Sequence, residues 1–531
     1  ATARLLPLCL RDTHAVMTPE KSQLAQCLEA ELTLALRAPD PAARDRRLAL
    51  ARQALPIGLA DKAAALLATM ARSAPADGEL ALLHGVALRQ LQRLSDALTV
   101  FTQARSAGAG DPALVQGIAQ TRYELGLSAA ALFADAQALQ PASPDLLRMR
   151  AAAMAAEGDL PGAEALLEAE LARRPDWLAG HKALSVLRWT MGDQARHADS
   201  YAAAAAAQPG NPDLWLAWFR ALAQTRDWPA TRDLLDRAQG ALGDSPALQV
   251  ARLFVASESG DAGATEQGLQ ACAALRGETL DLIRVRHFLR QRRLSEAEAV
   301  CLPQLITASA PLFWPYLSLV WRMAGDARWE WIDRPDQLIK PVRVDLSPAD
   351  LAELAEVLRG LHVMDRPYVE QSVRGGTQTD RSVIQRREPV IQLAKARWLE
   401  ALRGYVDELP PPEQGHPLLG LPRGELLVEG SWSVRLLRQG YNVPHNHPVG
   451  WISTAFYVAL PAPEQMGAAP AGHIAFGTPP EELGLDLPAY RTIAPEPGLC
   501  ATFPSTMWHR TMPFDDGERL VIALDLKRPR L

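Results

Sequence analysis

The sequence predicts an α-helical repeat superhelix followed by an α+β domain, and three observations predict it. Helix-forming segments rich in Ala, Leu, Arg and Gln run from residue 20 to about 330, broken only briefly. Prolines recur within that stretch at a constant step. Beyond Gly424 the helical rhythm gives way to short apolar runs separated by turns. With 531 residues the chain has room for two cores. The rhythm divides it into domains at 1–335 and 336–531.

The helical breaks are Glu157-Gly158-Asp159, Gln208-Pro209-Gly210-Asn211-Pro212 and Ser259-Gly260-Asp261. Pro141, Pro175 and Pro209 follow one another at 34 residues, and Phe133, Leu167 and Tyr201 keep the same step. Small residues stand where paired helices would cross: Gly85, Ala97 and Ala104, then Gly117, Ala129 and Ala136, then Ala151 and Ala163. Large residues such as Phe101 and Trp215 would fill the grooves, and each proline would stop a second helix. This pattern resembles the tetratricopeptide repeat, a helix–turn–helix unit, over at least five units between about 78 and 245, with fainter units at 40–77 and 246–325. The resemblance implies a superhelix whose concave face takes a peptide or a protein partner.

After Trp329-Glu330-Trp331, Lys340–Val344 reads as a short strand. Ser347 caps a helix with Pro348 at its first position and Leu351, Leu354, Leu358 and Leu361 along one face. A second helix runs from Pro389 to Leu409, with Trp398 in its apolar stripe. Strands follow at Ser431–Leu437, Ile452–Leu460, His473–Phe476, Cys500–Phe503 and Arg519–Leu526. Helices ahead of a β-rich block predict helices buttressing a sheet or barrel.

Composition excludes several classes of function. Hydrophobic residues make up 48% and charged residues 22%, as in ordinary globular proteins. The net charge of −6, without a basic block, speaks against nucleic acid as a partner. No apolar run reaches the roughly 20 residues of a membrane span. Arg4–Leu10 is too short and Pro-broken for a signal peptide. The five cysteines (Cys9, Cys27, Cys272, Cys301 and Cys500) are scattered, which fits reduced thiols in the cytoplasm rather than a disulfide framework or a zinc ribbon. Neither a Gly-x-Ser-x-Gly elbow nor a dinucleotide fingerprint occurs.

Among 11 histidines, His445 and His447 stand two apart in Tyr441-Asn442-Val443-Pro444-His445-Asn446-His447-Pro448, so an extended backbone points both to one face. Pro448 biases His447 toward that backbone. His509 stands in Phe503-Pro504-Ser505-Thr506-Met507-Trp508-His509, at the end of a predicted strand. After the turn Phe514–Glu518 the chain returns with Arg519, which places His509 and Arg519 at the same end of the fold. A metal with an arginine one small molecule away suits a dicarboxylate, chelating at one end and clamped by the guanidinium at the other. Arg435 and Arg510 are alternative clamps.

This arrangement resembles the double-stranded β-helix (jelly-roll) barrel of the 2-oxoglutarate- and Fe(II)-dependent dioxygenases, over about the last 190 residues. That family places His-x-Asp/Glu on one strand, a distal His later, and an Arg or Lys about ten residues beyond. The resemblance implies His445, His447 and His509 as metal ligands and Arg519 as the cosubstrate clamp; Tyr457, in the strand just after the histidine pair, is either a further cosubstrate contact or a core tyrosine. His445-Asn446-His447-Pro448 and Gln371–Thr379 are closest to a bacterial branch that reads His-x-His-Pro. His447 departs from the usual two-His-one-carboxylate set and leaves the site one negative charge poorer. The cofactors implied are Fe(II) and 2-oxoglutarate, and the reaction is hydroxylation of a protein or peptide recruited by the repeats. A non-catalytic repeat scaffold with a degenerate barrel and a small-molecule hydroxylase are the alternatives. Arg374, Gln378 and Thr379 lie in a Gly-rich stretch able to fold over the site, His416 and His473 are candidates to support it, and Asp515 and Asp516 fit turn chemistry.

Overall fold

The computed structural model describes residues 19–37, 44–369 and 371–529; Cys9 and the Arg4–Leu10 stretch lie outside them, as do residues 38–43 near the faint first repeat. Helical hairpins follow in register: Gly78–Gln90 with Leu94–Ser106, Pro112–Glu124 with Ala130–Leu139, and Pro144–Ala156 with Leu160–Arg173. Leu178–Thr190 with Asp199–Ala207 and Pro212–Thr225 with Trp228–Leu242 come next in the chain. Local chemistry sets these bounds. Asp111, Ser143 and Asn211 accept backbone N–H groups of the helices that begin at the next residue, each of which opens on proline. Second helices end at Leu139, Arg173 and Ala207, each just ahead of Pro141, Pro175 or Pro209. The region expected to hold fainter units forms clear hairpins, Pro246–Glu258 with Ala262–Ala271 and Glu278–Arg290 with Leu294–Cys301, followed by Ala310–Ala324 and Arg328–Asp333.

Two compact units emerge. One comprises the described residues up to Glu170 together with Gln385–Glu388; the other comprises Leu171–Ile384 and Pro389–Leu531. In the first, Phe101 is fully buried, and a Cβ on Gly85 would stand 2.2 Å from its ring. In the second, the later hairpins and the C-terminal sheet share a core. Trp314, Tyr316, Leu483 and Trp508 join one apolar cluster, and Trp508 Nε1 donates to the Pro315 carbonyl at 2.9 Å. Arg226 pairs with the Glu482 carboxylate, and Arg290 Nε donates to the Glu482 carbonyl at 2.9 Å. Among the described residues no helix is long and apolar enough to cross a membrane.

The C-terminal sheet has nine strands: β1 (Lys340–Arg343), β2 (Val373–Gln378), β3 (Val428–His445), β4 (Gly450–Ala459), β5 (Ile474–Phe476), β6 (Arg491–Ile493), β7 (Leu499–Pro504), β8 (His509–Thr511) and β9 (Arg519–Lys527). All ladders are antiparallel, in the order β1-β7-β4-β9-β3-β8-β5-β6, with β2 alongside β3. Strand β3 pairs with β9 through Val428–Leu436 and with β8 through Asn442 and His445. Between these halves Gln439 takes φ +58° and Gly440 follows, so one strand turns from one sheet into the other. The result is a nearly closed jelly-roll barrel.

Helix Pro348–Arg359, opened by the Ser347–Asp350 capping box, packs on β4, and helix Pro389–Asp407 buries Trp398 completely against Phe456. On β4 and β9, Phe456, Leu520, Ile522 and Leu524 therefore belong to the outer apolar layer, while Ser453, Tyr457, Arg519 and Asp525 alternate to the barrel interior.

Two expectations need correction. The Gly-rich stretch around Arg374 and Gln378 is edge strand β2 rather than a covering loop, because it pairs with β3. Gly376 permits that approach, since a Cβ there would lie 2.2 Å from the Arg435 carbonyl. His509 does not end the strand that contains Phe503; a turn at Ser505–Met507 intervenes, and His509 opens β8.

Candidate metal centre

His445 and His509 are brought together by the ladder itself, as direct cross-strand partners at the end of β3 and the start of β8. His447 lies just beyond β3, where its N–H donates to the Ser505 carbonyl at 2.7 Å. The ring centroids stand 4.2 Å apart for His445 and His509, 5.1 Å for His445 and His447, and 5.0 Å for His447 and His509. One nitrogen from each ring lies within 4.8 Å of the others, and all three residues are buried.

Hydrogen bonds fix which nitrogens converge. Each Nδ1 faces an acceptor: the Val443 carbonyl at 2.7 Å for His445, Asp525 Oδ1 at 2.8 Å for His447, and the Met507 carbonyl at 3.0 Å for His509. A neutral imidazole donating from Nδ1 has its lone pair on Nε2. His447 Nε2 is buried without a partner, and His445 Nε2 has only the Ser372 hydroxyl at 3.4 Å. Burial, followed by repulsion from neighbouring imidazoles, holds His445 well below the ordinary histidine range and His509 at about 3. Three imidazoles gathered in a buried space are a donor set that fits a divalent cation.

Arg519 is 1% exposed and has no acidic partner among the described residues; its Nε is unpaired. Its guanidinium carbon lies 5.0 Å from the centroid of the Tyr457 ring, and the Tyr457 hydroxyl is likewise buried and unpaired. Burial lowers the Arg519 pKa, with Tyr457 opposing, and raises that of Tyr457. A buried cation facing only a ring and a phenol has capacity for an anion. Of the alternative clamps, Arg435 bonds Glu518 at 2.6 Å, whereas Arg510 lies 3.9 Å from Glu481 and its Nε is buried without a partner.

Sequence reasoning missed Asp525. Its Oδ1 accepts from His447 Nδ1 at 2.8 Å and from the Ser453 hydroxyl at 2.6 Å, and that hydroxyl stands 2.9 Å from Ser505 Oγ. A signal was available, because Asp525 is the one charge between Leu520 and Leu526 and shares the alternation phase of Arg519. His416 and His473 lie outside the cluster; His416 Nδ1 accepts from Leu418 N and Leu419 N, which is loop chemistry. Asp516 bonds the N–H of Gly517, consistent with a turn.

A cavity of about 710 Å³ opens beside His445 and Asn446. Arg374 and Tyr441 line its barrel side, and Gln224, Arg226, Arg286 and Tyr316 line its helical side. A second cavity of about 760 Å³ runs along helices Leu178–Thr190 and Pro212–Thr225 and shares Trp189, Gln224, Tyr368, Val369 and Gln371 with the first.

The fold and the site define a helical-repeat protein with a jelly-roll barrel built around a buried three-histidine cluster. Comparison with known families agrees: residues 430–525 match the model of the family described as "Putative 2OG-Fe(II) oxygenase". The solved structures similar to the chain include a tetratricopeptide repeat protein from Parabacteroides merdae, at 13% identity over 49% of this chain and 99% of that one, TM-score 0.30. A thermophilic TPR protein of Thermus thermophilus is 22% identical over 34% of this chain and 98% of its own, TM-score 0.26. The C-terminal part of a TPR repeat-containing protein from Cytophaga hutchinsonii is 11% identical over 45% and 95%, TM-score 0.29. No curated protein matches the chain.

Proposed function

We propose that this protein is an Fe(II)- and 2-oxoglutarate-dependent oxygenase that hydroxylates a protein or peptide substrate held by its repeat helices. The observation that carries this reading is a buried, acid-free Arg519 in the same barrel interior as the three-histidine cluster. In the proposed roles His445, His447 and His509 hold the iron, and Arg519 clamps the far carboxylate of 2-oxoglutarate with the Tyr457 hydroxyl beside it. When bound, iron with 2-oxoglutarate and O₂ supplies the oxidising power for C–H hydroxylation, leaving succinate and CO₂.

The chain's own contribution is orientation. The Nδ1 bonds of the three histidines fix their rings before any metal arrives. A degenerate barrel would have no use for a buried arginine that costs free energy while unpaired. The two joined cavities favour an extended substrate over a compact metabolite, because they continue from His445 along two repeat hairpins. Within this reading the chemistry belongs to residues 336–531 and recognition to residues 1–335. The free thiols of Cys27, Cys272, Cys301 and Cys500 support a reducing cytoplasm.

The test is 2-oxoglutarate-dependent succinate release by the full chain, with Fe(II), O₂ and a library of extended peptides. We expect peptide-stimulated release that disappears in His509→Ala. Release stimulated only by small metabolites would overturn the peptide assignment, and none under any condition would overturn catalysis.

A further inference from the structure

We infer that Asp525 supplies, one imidazole further out, the negative charge that the metal centre lacks because His447 stands where a carboxylate is usual. Asp525 is thus a positioning residue for the centre, acting through His447. The inference rests on the oxygenase reading above.

Three observations converge. The Asp525 carboxylate touches one metal-facing histidine, through Nδ1 of His447 at 2.8 Å, and no lysine or arginine pairs with it among the described residues. It is buried, with its side chain 8% exposed. Ser453 donates to the same oxygen, so the carboxylate is fixed toward the ring rather than free to turn away. The cross-strand pair Ser453–Asp525 builds this contact into the β4–β9 ladder.

The physical effect follows from charge. A carboxylate accepting Nδ1–H of a metal-binding imidazole sets the tautomer and raises the basicity of Nε2. It also places a full negative charge beside the ligand in a site of low dielectric, where attraction to a divalent cation is weakly screened. His445 and His509 donate to neutral carbonyls and lack this assistance. His447 should therefore be the most strongly donating imidazole of the three.

The experiment measures anaerobic Fe(II) affinity of the full chain by chelator competition, without 2-oxoglutarate. Asp525→Asn keeps an acceptor of the same shape and loses only the charge. It should weaken Fe(II) by about 10- to 100-fold, nearly as much as Asp525→Ala, while metal-free thermal unfolding stays at or above that of the parent. In a His447→Asp background, where a carboxylate meets the metal directly, Asp525→Asn should change affinity by less than about threefold, since the two charges then oppose each other. Parental affinity in Asp525→Asn, with loss only in Asp525→Ala, would show that orientation alone is used and overturn the inference. Equal losses in both backgrounds would do the same. A parent chain that binds no Fe(II) would instead sink the oxygenase reading, which keeps the two failures distinct.

Discussion

His509 is held to the cluster from two directions, by its pairing with His445 and by its Nδ1 bond to Met507, so its removal takes away one donor without breaking a strand interior. His509→Ala should abolish stoichiometric Fe(II) binding and leave helical circular dichroism unchanged; full metal occupancy would show that the cluster is not the metal site. Arg519→Leu tests the other end of the cosubstrate. Iron should remain bound while 2-oxoglutarate weakens by about 2–5 kcal/mol, the cost of leaving a buried charge unpaired. Unchanged cosubstrate affinity in calorimetry would contradict the clamp and point to Arg510, whose Nε is buried without a partner, rather than to Arg435, which already bonds Glu518. That His445 and His447 stand together was legible because an extended backbone points residues two apart to one face, and His509 was tied to Arg519 by the turn between them and by the family resemblance. Asp525 was not, because its contact with His447 spans 78 residues and depends on closure of the barrel.

At the scale of elements, the repeat helices were legible because their signals are local: a capping side chain, proline at the first position, and proline two residues past the last turn. Strands β2, β6 and β8 were not, since each is short and exists only through partners far along the chain. The bend in β3 was hidden too, because Ser431–Leu437 reads as a complete strand until the second half finds β8. In the N-terminal compact unit, Phe101 fills the space left by Gly85 and Gly117. Phe101→Ala should destabilise that unit by about 3–5 kcal/mol in chemical denaturation, with metal binding by the barrel retained. A loss below about 1 kcal/mol would mean that the hairpins collapse around the gap.

Two loop histidines held neutral by desolvation, half-buried His362 and buried His416, also make stability depend on pH. Burial holds His362 at about 4 and His416 at about 4; His362 ties helix Pro348–Arg359 to the sheet through Thr377 and Ser433. The unfolded chain, with histidines near about 6.5, binds more protons than the folded chain between the two values. Stability is therefore fully present above about pH 6.5 and falls as pH drops toward 4, by on the order of 1 kcal/mol per group per pH unit. Thermal unfolding of metal-free protein at pH 7.5, 6 and 5 should show a plateau and then a decline; a midpoint that rises on acidification would contradict the buried neutral assignment.

At the scale of the whole molecule, the barrel does not end where its strands end. Trp508 and Leu483 sit in an apolar cluster with Trp314 and Tyr316, and Arg322 donates to the Gly477 carbonyl. A chain beginning near residue 336 should retain iron and 2-oxoglutarate binding but lose solubility and turnover of the natural substrate, because one wall of the cavity goes with the helices. A chain beginning near Leu171 keeps that wall and should retain both binding and solubility. Undiminished turnover by the shorter piece would remove the repeat helices from substrate selection.

In the proposed site, three histidines and one buried arginine hold iron and 2-oxoglutarate together. An anaerobic titration of the full chain with Fe(II), followed by 2-oxoglutarate, tests it most directly through the visible metal-to-ligand absorption of the chelated oxo-acid. One Fe(II) per chain is expected, with a band that appears with 2-oxoglutarate, disappears in His509→Ala, and needs far more cosubstrate in Arg519→Leu. Saturating iron and 2-oxoglutarate that give no such band in the parent chain would contradict it.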